Sequence, residues 1–224
     1  MLAQQIMNIL LLACMYSVIA IGFSLFFGVL DVVVFSCGDI AIAGAYSFLF
    51  FYIIMQLAAG LSGLPYVLLV LLIIIAAALM GGIVALIAFY GTINPYQKKS
   101  ALMPLIATIA FGVIIREVIG LFYPQGRNPQ MFPTIFPDGA FFNTTLLSYE
   151  RVGILIVTLV MLTVLFLIVN KTKFGQSIQA ISQNRSAAMM CGVNPTIILP
   201  LTFLLGGFLL GIGGYLVGSY YNIV

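Results

Sequence analysis

The sequence predicts an all-α, polytopic membrane protein of about six spans, folded as a single transmembrane domain over 1–224. Three observations carry that prediction. The chain is 63% hydrophobic and 6% charged, whereas a soluble domain carries about 25% charged residues. Its mean hydropathy is +1.25, so the bilayer is the solvent for most of its surface. The apolar residues also come in continuous runs near the ~20 residues that a helix needs to cross the hydrocarbon. They do not alternate along short segments as a transmembrane β-barrel requires.

Taken in order, the runs are Ile6–Val29, Ile40–Met55, Pro65–Tyr90, Ala101–Phe122, Val152–Val169 and Pro195–Val217. The first contains LLAC (Leu11–Cys14), a faint echo of a lipoprotein processing site. The residues before it hold no Lys or Arg, so the charged start of an export signal is missing and the run reads as a span. The second is short, compatible with a tilted, broken or partly re-entrant segment. It follows a break, VVVFSCGD (Val32–Asp39), in which Gly38 lets the backbone leave the helix. Non-helical backbone at membrane depth survives only if it is buried in protein or lines a cavity. Asp39 reads as an acidic helix N-cap. Arg116-Glu117, late in the fourth run, read as an interfacial pair that snorkels to the outer boundary.

Five of the eight basic residues, Lys98, Lys99, Lys171, Lys173 and Arg185, fall in two loops without Asp or Glu. The positive-inside rule makes those loops cytoplasmic. The Pro- and Gly-rich loop from Pro124 to Glu150 mixes Arg127 with Asp138 and Glu150 and reads as external. Its Asn143-Thr144-Thr145 matches a glycosylation sequon, a pattern that chance readily supplies. The N-terminus then faces outward, provided the second run crosses.

The final span carries Gly207, Gly211, Gly214 and Gly218, at offsets of 4, 3 and 4. They line one helix face, where missing side chains let a second helix approach closely.

Between the last two runs lie 24 mostly polar residues, Lys171–Asn194, too many for a turn. On a helical wheel Phe174, Ile178, Ile181 and Ala188 share one face, opposite Gln176, Gln179 and Gln183. Arg185 falls on the apolar side, so the pattern predicts a break near Asn184, with Ser186 opening a new turn. The segment reads as an amphipathic element along the cytoplasmic membrane surface, either a connector or a docking surface.

Several function classes find no residues. His is absent, and Cys14, Cys37 and Cys191 lack metal-site spacing, so no metal is expected. No Gly-rich phosphate loop and no catalytic constellation occurs, and no proton relay is visible. If the protein moves a solute uphill, another polypeptide supplies the work.

MYSVIAIGFSLFFGVLDVVVFSCGDIAIAGAYSF (Met15–Phe48), LIATIAFGVIIREVIGLFYPQGRNPQMFP (Leu105–Pro133) and the stretch Lys173–Gly218 resemble, in collinear order, the permease subunits of branched-chain amino-acid ABC importers of the bacterial inner membrane. The resemblance implies a coupling helix that docks into a groove of the ATP-hydrolysing subunit. Gly175, Ala180, Asn184, Ala188, Gly192 and Asn194 match its pattern, beside Phe174, Ile178 and Ile181. It implies that Phe35, Ser36, Cys37, Gly38 and Asp39 line the translocation path. It also implies a second related permease, two ATP-binding subunits and an extracytoplasmic solute-binding protein. No cofactor belongs to this chain, ATP and Mg being bound by the partner subunits, and the chain is not itself an enzyme. The sequence departs from the family where the break loses the usual Asn and His. Family members also usually continue with two further spans. The rival reading is a non-transport intramembrane scaffold that packs through the glycines of the last span.

Overall fold

The computed structural model describes residues 2–30, 33–58, 66–96, 102–123, 128, 130–132 and 149–223. Asp31, Lys98, Lys99 and the sequon at Asn143 lie outside them, as does most of the loop after the fourth span. Among the described residues eight α-helices follow one another: α1 (Leu2–Leu30), α2 (Cys37–Ala58), α3 (Tyr66–Ala88), α4 (Leu102–Phe122), α5 (Tyr149–Lys171), α6 (Lys173–Gln183), α7 (Arg185–Met190) and α8 (Pro195–Tyr221). Six of them are long and apolar enough to cross a membrane. The second run, expected to be short, is a full helix of 22 residues. It starts earlier than hydropathy indicates because Cys37, Gly38 and Asp39 form its first turn. Asp39 is therefore inside that turn and not at its cap.

α8 is the hub. Its glycines do not form one face for one neighbour but serve three helices. A Cβ at Gly207 would lie 2.9 Å from Gly82 Cα, and one at Gly211 would lie 3.2 Å from Gly81 Cα, both on α3. A Cβ at Gly214 would run into the Ala41 backbone of α2, and one at Gly206 or Gly213 would strike Phe26 or Ile19 of α1. Gly218 is buried as well. Lower on the same helix, Phe203 stacks on Phe26 at 4.3 Å and meets Phe89 at 5.1 Å. Pro200 sits inside α8, tolerated because neighbouring helices and side chains re-satisfy the freed backbone.

Helix directions follow from these pairings. Phe26, Gly22 and Ile19 of α1 meet successively later residues of α8, from Phe203 through Leu210 to Gly213. α1 is therefore antiparallel to α8, and α3 is too, with Ala85 beside Gly207 and Ala77 beside Gly211. α2 instead runs alongside α4: Phe35 meets Thr108, Asp39 meets Arg116 and Tyr46 meets Tyr123. α2 also follows α8 in direction: Val34, Cys37 and Ile40 at its start share a cluster with Leu199 and Phe203, whereas Phe48 further along meets Tyr215 at 4.5 Å. The second helix thus runs opposite to the first and third, as a crossing span must.

Candidate functional site

Two polar regions interrupt the apolar bundle. The first is the break between α1 and α2. Val34 and Ser36 are buried, whereas Phe35 is 54% exposed. Phe35 N–H points to Thr108 Oγ1 at 3.4 Å, Thr108 donates to Leu105 O at 2.8 Å, and Cys37 Sγ donates to Val34 O at 2.9 Å. The departing backbone is thus held against α4. Asp39, buried, accepts from Arg116 Nε at 2.5 Å. The Arg116-Glu117 unit is therefore not the simple interfacial pair its adjacency implies. Arg116 reaches across to another helix, and a carboxylate buried at 6% exposure gains the cation it needs.

Beside this pair a cavity of about 650 Å³ opens between α1, α2, α4 and α8. Gly38, Arg116, Glu117 and Gly218 line it. Of the five break residues expected on a path, the structure brings Gly38 to the cavity. It buries Ser36, Cys37 and Asp39 and leaves Phe35 exposed outside the cavity lining.

The second region is α6–α7, whose corners are built by capping chemistry. Thr172 Oγ1 accepts from Gly175 N–H at 3.2 Å and opens α6. Asn184 Oδ1 accepts from the N–H groups of Ser186 and Ala187 at 3.0 and 3.1 Å. It ends α6 and opens α7, the break anticipated from the wheel. Gly192 takes a positive φ of 84° after α7, which glycine adopts without strain. Asn194 Oδ1 accepts from Thr196 N–H at 3.1 Å and opens α8 behind Pro195. Gly175 sits in the α5–α6 corner, where a Cβ would collide with the Val169 backbone.

The apolar face holds these helices to the bundle. Ile178, Ile181 and Ala188 are buried, with Phe174 and Ala180 packed beside them. They belong to one apolar cluster with Val34, Cys37 and Ile40 at the base of α2 and Phe203 of α8. Ala188, at 3% exposure, turns toward the protein's own core. Asn184, Gly192 and Asn194 are exposed, and beside them stand two residues that the sequence pattern did not single out, Met189 and Met190, 50% and 90% exposed. The signal for them was present: two methionines on an otherwise polar segment beside the break. Among the described residues, no group of three or more His, Cys, Asp or Glu comes together to hold a metal ion.

Residues 5–224 match the family model described as the permease component of the branched-chain amino acid transport system. The chain belongs to that permease family. Similar relatives include the high-affinity branched-chain amino acid transport system permease protein BraD of Pseudomonas aeruginosa, 26% identical over 99% of this chain and 72% of the relative. LivH of Escherichia coli K12, of the same description, is 24% identical over the same shares. The galactose/methyl galactoside import permease protein MglC of Escherichia coli K12 is 28% identical over 68% of this chain and 44% of its own length. No solved structure matches. As a member of this permease family the chain is a multi-pass component of a membrane transport system. The scaffold reading loses its main support, because Gly207, Gly211 and Gly214 are occupied by the chain's own α3 and α2.

Proposed function

We propose that this chain is half of the translocation path of a binding-protein-dependent importer for a branched-chain amino acid. Its partners are a second related permease, two ATP-binding subunits that hold ATP and Mg, and an extracytoplasmic solute-binding protein. The observation that carries the reading is the construction of α6–α7. Two short helices, capped at every corner, are anchored by Ile178, Ile181 and Ala188 in the same cluster as the base of α2, while Met190 stands 90% exposed. Such an element is stiff enough to carry a displacement from a partner to the break at residues 33–36. The names of the BraD and LivH relatives support the solute class.

In this mechanism closure of the ATP-binding subunits moves α6–α7, the apolar cluster transmits the motion to the start of α2, and access to the path alternates. The chain breaks no bond in the solute and hydrolyses no ATP. The test is reconstitution of the chain with its companion permease, ATP-binding subunits and binding protein in proteoliposomes. The expected result is leucine uptake that requires ATP, Mg and the binding protein together. Uptake indifferent to ATP, or an ATP-binding subunit that never co-purifies with this chain, contradicts the reading.

A further inference from the structure

We infer that the cavity beside the start of α2 is a recognition site for an amino-acid zwitterion, in which the Arg116 guanidinium takes the carboxylate and the Glu117 carboxylate takes the ammonium group. The inference rests on the importer reading above. Its grounds are the geometry of the cavity and the cost of the charges in it.

Ionisable side chains within membrane helices are expensive, and they mark solute or ion pathways when they face the interior of a bundle. Arg116 lies six residues before the end of α4, about 9 Å along the helix at 1.5 Å per residue. It engages Asp39 only through Nε, while 67% of its side chain remains exposed and it lines the cavity wall. Asp39 therefore acts as a positioning residue: it fixes the guanidinium plane and leaves the donors of the terminal nitrogens for a carboxylate, whose two oxygens match that fork. Glu117 puts a negative group on the same wall. The rest of the lining includes the aliphatic Ile19, Ile42 and Val217, which suit a branched apolar side chain. At about 650 Å³ the space falls within the range of small-molecule sites, roughly 300–1,000 Å³. Gly38 lines the cavity beside open space, since a Cβ added there meets nothing within 4 Å.

That open position supplies the probe. In the reconstituted transporter, with Cys14, Cys37 and Cys191 replaced by Ala, Gly38→Cys is labelled with a small thiol reagent. Leucine should slow the labelling, whereas leucinol, without the carboxylate, and 4-methylpentanoate, without the ammonium, should not. Arg116→Gln should abolish the protection and lower leucine uptake about 10- to 100-fold, the scale of one lost charged hydrogen bond. Arg116→Lys should recover part of both, and Asp39→Asn should raise the leucine concentration needed for protection. If Arg116→Gln fails to assemble, the protection pattern with Arg116 intact still decides the matter. Equal protection by leucinol overturns the carboxylate assignment. Labelling indifferent to leucine while ATP-driven leucine uptake continues overturns the site but leaves the importer standing. Absence of any amino-acid uptake removes both.

Discussion

α5 and α8 are both spans, yet they occupy opposite environments. α5 is the more apolar, with a span hydropathy of 3.1 against 2.1, but only 17% of its span is buried in the protein against 61% for α8. Hydropathy therefore points the wrong way for burial. Lipid is as apolar as leucine, so greasiness gives no drive toward the interior of a bundle, and close packing of small residues decides instead. α8 meets α1, α2 and α3 through glycines. α5 turns Leu159 and Phe166 outward at 69% and 62% exposure. α6–α7 thus join a helix held on three sides to one that is mostly exposed.

The comparison predicts a graded series. The largest effect belongs to Gly211→Leu, because its side chain would enter the backbone of α3 at Ala77 and Gly81. Overpacking in well-packed cores costs about 1–3 kcal/mol and occasionally more, and here backbone would have to move. The expected outcome is loss of detergent-stable protein, read by size-exclusion chromatography after extraction. Normal yield and uptake would show that α8 is not the hub. Gly175→Leu should come next: the spans stay inserted, but the α5–α6 corner cannot close against Val169. Uptake should fall at least tenfold at unchanged membrane abundance, measured by immunoblot beside transport. The smallest effect is expected for Leu159→Ala, whose side chain is 69% exposed, with thermal stability within about 0.5 kcal/mol of the parent. A large loss there would mean that α5 is covered by a partner.

Much of this was legible in the sequence for physical reasons. Spans announce themselves as uninterrupted apolar runs. The α6–α7 break was readable because Arg185 disrupts the apolar face and Asn184 has the side chain that caps a helix start. The Asp39–Arg116 pair was not readable. Its partners stand 77 residues apart, and nothing local distinguishes a charge that snorkels from one that crosses to another helix. The glycine pattern announced close approach but not its direction, because Gly207, Gly211 and Gly214 drift around α8 and meet α3 and then α2. For Ala180 and Ala188 the smallness was read as room for an outside partner. Small residues serve an inside neighbour equally well, and Ala188 has one.

The central claim of the proposed importer reading is that α6–α7 meet the ATP-binding subunit, at the outer edge of α7, where Met190 is exposed, and not at the buried Ala188. Cross-linking from single cysteines tests it most directly, in the assembled transporter with the native cysteines replaced. Met190→Cys should form a cross-link to the ATP-binding subunit that responds to nucleotide, and Ala188→Cys, turned into the permease core, should form none. A permease that inserts and assembles yet cross-links from position 188, or from neither position, contradicts the account.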